Sequence, residues 1–179
     1  MVDLRHGDCL ELMKDIPDGS VDLVLTDPPY GKKADKGTNG FGSVKNRRYG
    51  GGWDSQRPSK EIFDEMLRIG KNVIIFGGNY FADMLPPSNH WIFWDKKGDI
   101  AFQNPFADGE LIYTTFKKPI KRIVFKQQGF IRGYINSFCN LLFIFRKRGS
   151  PRSLSFSSVL WHRCSPFLVY FSIIIAQSI

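Results

Sequence analysis

From residue 111 to residue 179 the chain contains no aspartate and no glutamate. All 17 acids fall in residues 1–110, opposed there by 14 of the 25 lysines and arginines, and the other 11 basic residues stand unopposed in the last 69 positions. At an ordinary acid content of about 12%, a stretch of that length without one arises about once in several thousand cases. The formal charge of +8 therefore comes from the second part of the chain, and it suits a polyanionic partner.

Other absences exclude whole classes of function. The three cysteines, Cys9, Cys139 and Cys164, have no metal-ligand spacing, and their odd number argues against a disulfide framework. His6, His90 and His162 form no metal or triad pattern, so no metal is expected. The apolar run FLVYFSIII is shorter than the roughly 20 residues a bilayer-spanning helix needs, so no membrane is expected either. Arg5, His6, Asp8 and Glu11 interrupt any apolar run at the start, which argues against a secretory signal and for a cytoplasmic protein. Gly77 and Gly78 come directly after an apolar run, but neither a three-glycine dinucleotide fingerprint nor a P-loop is present.

What is present centres on VDLVLTDPPYG, residues 21–31. Val21 to Thr26 are apolar or β-branched apart from Asp22, which predicts a short strand buried on both faces. Pro28 and Pro29 cannot continue a ladder, and they stiffen the turn beyond the strand. Asp27 and Tyr30 then project from a rigid turn at the carboxyl end of a strand, where open α/β sheets bind ligands. Taken by itself, the same tetrapeptide also reads as an ordinary turn. The chemistry such a turn suits is methylation of an exocyclic amine. An adenine N6 lone pair is delocalised into the ring until acceptors draw on its hydrogens. The Asp27 carboxylate and the Pro28 carbonyl are candidate acceptors, with Tyr30 stacking on the base.

Around that turn the pattern is α/β. CLELMKDI (9–16) has helical spacing, with Asp8 as N-cap and Glu11 three positions on. SKEIFDEMLRIG (59–70) predicts an amphipathic helix between Ser59 and Gly70. NVIIFGG predicts a buried strand and NYFADML a short helix; HWIFWDK, ELIYTTF and IKRIVFKQ predict strands with antiparallel character near the later edge. Trp91 and Trp94 suit a core or a base pocket, and Asp95 a loop contact. Residues 31–58 are rich in glycine and basic groups, interleaved with Phe41, Tyr49 and Trp53. Positive charge beside stacking surfaces suits nucleic acid, and a long solvated loop is the plainer alternative.

Residues 7–31, together with NVIIFGGNYFADMLP, HWIFWDKKG and the segment around QNPFADGELIYTTFKKP, resemble amino-methylating DNA methyltransferases of the class in which a DPPY motif precedes the cofactor motif. The similarity covers about residues 1–131 and is closest to small phage-type adenine methyltransferases. It implies a Rossmann-like, S-adenosylmethionine-dependent methyltransferase fold. It also implies double-stranded DNA as partner, and catalysis by Asp27, Pro28, Pro29 and Tyr30. Asp8 and Asp27 would meet the cofactor, Asp8 receiving the amino group of its adenine. Lys32, Lys33, Lys45, Arg47, Arg48, Tyr49 and Trp53 would face DNA. An aspartate at the head of the motif favours adenine N6 over cytosine N4.

After about Ile131 the resemblance stops. The HPTQKP-like segment and the glycine-rich turn that holds the methionine end of the cofactor are both missing from residues 132–179. The expected organisation is a catalytic part at 1–131, incomplete at its carboxyl end, succeeded by a frameshifted or unrelated basic tail. An incomplete sheet leaves apolar edges bare, so self-association is expected through them. Two alternatives stay open: a non-catalytic fragment that binds nucleic acid, and a generic α/β ligand-binding module. If the tail is a frameshift, another reading frame beyond the Ile131 codon encodes the absent motifs; a nucleotide sequence with neither motif in the two other frames rules it out.

Overall fold

A computed structural model describes residues 3–32, 54–98, 107–124, 154–163 and 170–178, the last two segments as backbone. The strands are β1 (Asp3–Gly7), β2 (Leu23–Thr26), β3 (Val73–Ile75), β4 (Trp91–Asp95), β5 (Gly109–Thr114), β6 (Lys121–Val124), β7 (Leu154–Arg163) and β8 (Tyr170–Ser178). Two helices, α1 (Cys9–Lys14) and α2 (Lys60–Ile69), precede β2 and β3. The described strands form one mixed sheet in the order β1-β7-β8-β2-β3-β5-β4-β6.

β2 and β3 run parallel, with Val24 opposite Val73 and Thr26 opposite Ile75, and α2 forms their crossover. β5 is antiparallel to both β3 and β4, which is the antiparallel character the later segments predict. Strand periodicity sorts the core by face. Val24, Val73 and Ile75 join Phe63, Met66 and Ile69 of α2 and Met13 of α1 in one cluster. Leu23, Leu25, Ile74 and Phe76 point the other way, to Ile92, Trp94 and Ile112. Val21–Thr26 is therefore buried on both faces, as its unbroken apolar run implies.

The helices arise from local chemistry. Asp8 caps α1, its carboxylate accepting from the Leu10 amide at 2.8 Å. α1 stops at Lys14, short of Ile16, and Arg68 of α2 donates to the carbonyls of Met13 and Ile16, each at 2.9 Å. A guanidinium on the last carbonyls satisfies groups the helix leaves open and favours its negative end. Ser59 occupies the N-cap of α2 without a side-chain cap bond, and Gly70 ends the helix in an extended conformation (φ −92°). Gly70 is there for space. A β-carbon would stand 3.0 Å from the Met66 carbonyl, Val24 Cγ2 and Val73 Cγ2.

Two expectations need correction, and two strands were not anticipated. NYFADML forms a 3₁₀ turn (Gly78–Tyr80) and one α-turn, in which the Leu85 amide reaches the Phe81 carbonyl at 3.0 Å, because Gly77 at φ 62° sets a sharp exit from β3. The acid-free tail contributes β7 and β8, which the missing motifs gave no reason to expect. The bare edge anticipated beside β2 is also not found: β8 pairs there antiparallel, with Ile173 opposite Thr26 and Ala176 opposite Leu23. No described helix is long and apolar enough to cross a membrane.

Phe63 is wholly buried and lies 5.0 Å, ring centre to ring centre, from Phe81, so it ties α2 to the turn after β3. Phe63→Ala is expected to remove about 3–5 kcal/mol of stability, read from the midpoint of urea unfolding at unchanged slope.

Candidate functional site

The carboxyl ends of β2 and β3 lie side by side, and the DPPY turn leaves β2 there. Phe76 N donates to the Thr26 carbonyl at 2.9 Å, carrying the pairing to the edge of the turn. Pro28 and Pro29 are buried, and Gly31 at φ 72° turns the chain away. The amide of Gly31 donates to the buried carboxylate of Asp54 at 2.8 Å, so the chain on the two sides of residues 33–53 is joined at one point. Arg57 secures the same base. It forms a two-bond pair with Asp83 at 2.8 and 2.9 Å and donates to the Tyr80 carbonyl at 2.8 Å.

Tyr30 is the hub. Its hydroxyl lies 2.6 Å from Asp27 Oδ1 and 2.8 Å from Glu110 Oε1 of β5. The other oxygen of Glu110 takes the Lys96 ammonium at 2.5 Å, and Lys96 also sits 4.5 Å from the centre of the Trp94 ring. The Tyr30 ring lies 4.7 Å from Tyr80 and 6.0 Å from Phe81. A β-carbon at Gly77 would come within 2.3 Å of Tyr30 Cε1, so only glycine admits the ring. Lys32 completes the stack, its ammonium 3.6 Å from the centre of the Tyr80 ring.

That packing sets the electrostatics. Burial, and next the negative charge of Glu110, push the Asp27 carboxyl up to about 7; the Tyr30 hydrogen bond and the Lys96 charge pull the other way. Burial and the two neighbouring carboxyls push the Tyr30 phenol far above its ordinary value, so it acts as a hydrogen donor and stays neutral. One phenolic hydrogen faces two carboxyl oxygens.

Of the residues singled out from sequence, Asp27, Pro28, Pro29 and Tyr30 come together here. Asp8 is exposed at the end of β1, where it serves as the cap of α1. Lys32 lies on Tyr80, while Lys33, Lys45, Arg47, Arg48, Tyr49 and Trp53 lie outside the described residues. Trp94 is core, and Trp91 packs edge-on to Tyr113 with its indole donating to the Ser88 carbonyl at 2.8 Å. Asp95 does make a loop contact: it accepts from the amides of Lys97 and Gly98 and from Arg122 of β6. Glu110, Lys96, Asp54 and Arg57 were not legible as site residues. A lone acid opening the apolar strand ELIYTT was the available signal for Glu110. Among the described residues no group of histidines, cysteines and acids could hold a metal ion.

A bound S-adenosylmethionine would need an acceptor for its adenine amine and a glycine-rich turn around its methionine end. Asp8 fits the first. The second is not met among the described residues: Gly77 and Gly78 are closed off by Tyr30 and Tyr113, and the neighbour of β2 on the side away from β3 is β8, which presents its amino-terminal end at Thr26. The described residues therefore fit part of the cofactor.

No protein-family model matches the chain. It is similar to the type II methyltransferase M.BamHI of Bacillus amyloliquefaciens, with 31% identity over 131 residues, covering 62% of this chain and 27% of that protein. The chain thus spans about a quarter of the length of the relative it matches, and the likeness relates it to methyltransferases. Its mixed α/β sheet is consistent with a methyltransferase fold.

The raised Asp27 carboxyl carries a signed consequence for stability. The folded chain holds this proton more tightly than the unfolded chain, so the group costs stability as pH rises from the ordinary carboxyl range to about 7, and the cost is constant above that. Asp27→Asn keeps an acceptor for Tyr30 without the charge. Its stability advantage over the parent is expected to grow between pH 4 and pH 7 and then level, with an upper bound of about 4 kcal/mol, as measured by urea unfolding across that range.

Proposed function

We propose that this chain carries the amine-accepting part of a DNA methyltransferase of the DPPY class, phage-type in its motif order, whose Rossmann-like fold and S-adenosylmethionine donor transfer a methyl group to adenine N6. The observation that carries the reading is the rigid acid-proline turn at the end of β2, with Asp27 held by Tyr30, in a chain related to a methyltransferase. Asp27 and the Pro28 carbonyl accept the two amine hydrogens and draw the lone pair out of the ring. Both acceptors are fixed beforehand, so little reorganisation accompanies the reaction. The carboxylate has to be ionised to do this, so transfer grows as pH rises through about 7.

The base leaves the duplex before it reaches this turn, at a cost of a few kcal/mol, and stacking on one aromatic returns about 1–3. Tyr30, intermediate in exposure and packed beside Tyr80 and Phe81, is the aromatic assigned to that stacking. Lys32 and the basic, aromatic residues beyond it, among them Lys33, Lys45, Arg47, Arg48, Tyr49 and Trp53, neutralise phosphates and hold the displaced strand. Asp8 offers its second carboxylate oxygen to the cofactor's adenine amine while the first caps α1.

A second reading has its own observation. The glycine-rich turn is missing among the described residues, and an antiparallel strand stands where it would be carried, which favours a chain that binds DNA without modifying it. One assay separates the two. Labelled methyl transfer to unmethylated duplex DNA, with product hydrolysed to nucleosides, is expected to yield N6-methyladenine. Asp27→Ala is expected to lower turnover by about two to three powers of ten at nearly unchanged DNA affinity. Binding with no transfer supports the second reading, and turnover untouched by Asp27→Ala defeats the first.

A further inference from the structure

Glu110 takes no part in the proposed methyl transfer, yet it is among the few buried charged side chains of the described residues, 6% exposed, and it meets the proposed site directly. β5 brings it there. Glu110 pairs with Trp94 across β4 and β5, and Lys96 comes just after the end of β4, so strand register alone sets acid and base side by side. Gly109 before it lies where a β-carbon would strike Phe93, which seats this end of β5 closely on β4.

We propose that Glu110, anchored by Lys96, is a positioning residue of the amine-accepting site: it holds the Tyr30 hydroxyl against Asp27 Oδ1 and tunes the charge Asp27 presents to the substrate amine. The proposal rests on the proposed function for its purpose, though its geometry does not. Three contacts in series carry it, from Lys96 to Glu110 at 2.5 Å, from Tyr30 to Glu110 at 2.8 Å and from Tyr30 to Asp27 at 2.6 Å. They link the ends of β4, β5 and β2 by side chains alone.

Asp27, Tyr30 and Glu110 meet at one hydroxyl. Tyr30 has one hydrogen to give and two carboxyl oxygens within reach, so with both carboxyls ionised one contact lacks a hydrogen. A proton on Asp27 relieves that conflict. Glu110 thus favours the protonated form of Asp27 by its charge, while the Tyr30 bond and the charge of Lys96 oppose it. Among the described residues, Tyr30 from the turn itself, Glu110 from β5 and Lys96 beyond β4 are the titratable or charged groups acting on Asp27. The turn after β3 brings Gly77, which is uncharged.

The signs of three substitutions then differ, which a merely structural role does not produce. The measurement is the carbon-13 titration of the Asp27 carboxyl in the full chain labelled at aspartate, with Asp27→Asn identifying the resonance. The parent midpoint is expected at about 7. Glu110→Gln keeps an acceptor for Tyr30 but removes the charge, and is expected to lower the midpoint by about one pH unit. Lys96→Met is expected to raise it, and Tyr30→Phe, which removes the hydrogen bond, to raise it as well. A Glu110→Gln midpoint equal to the parent's, in a protein with the parent's circular dichroism, overturns the proposal. If that variant does not fold, the direction of the Lys96→Met shift decides: upward supports the proposal, and an unmoved or lowered midpoint overturns it. The two proposals fail separately. Methyl transfer insensitive to Asp27→Ala removes the catalytic reading and leaves the titration standing; transfer lost in Asp27→Ala with a midpoint unmoved in Glu110→Gln removes only the role of Glu110.

Discussion

A single phenolic hydrogen between two carboxyl oxygens is the constraint on which this site depends. Tyr30 reaches Asp27 within its own turn and Glu110 eighty positions later in the chain, so one hydroxyl makes the ends of β2 and β5 a common object. The rest of the neighbourhood reads as provision for that contact. Gly77 makes room for the ring, Tyr80 and Phe81 flank it, and Lys96 compensates the buried acid. Removing one member of such a set leaves another buried and unpaired, which is why it is costly to alter and informative to perturb.

The order of strands places this object at the centre of the sheet. β2 and β3 are parallel, so both chains turn at the same end, and a ligand can approach two turns at once. β5 then enters antiparallel beside β3, and its beginning, where Glu110 stands, falls beyond the pairing of Ile75 with Tyr113. A parallel strand at that position would bring its carboxyl end instead, and the acid would need a different place in sequence. On the other side β8 pairs antiparallel with β2, so the sheet continues past the site in both directions.

Much of this was legible in the residues and some was not, for physical reasons. Val21–Thr26 and Val73–Ile75 carry an unbroken apolar run that only a strand covered on both sides explains, and α2 shows buried positions at Phe63, Met66 and Ile69. The DPPY turn could be read because two prolines, with a glycine two positions beyond them, fix a backbone locally. Glu110 could not be read as part of the site, because its meaning depends on register against a strand from elsewhere. Asp54 and Arg57 sat in a charged, glycine-rich stretch where their signs suggested solvent, although Asp54 is nearly wholly buried. β1 is short and interrupted by charge, and β7 and β8 lie where the family resemblance had stopped, so no pattern pointed to them.

The bond from the Gly31 amide to Asp54 spans 23 positions and returns the chain to where it left. Asp54 is therefore a clasp: its buried carboxylate pins the exit of the turn at Gly31, so the placing of Asp27 and Tyr30 depends on an acid that lies outside the motif itself.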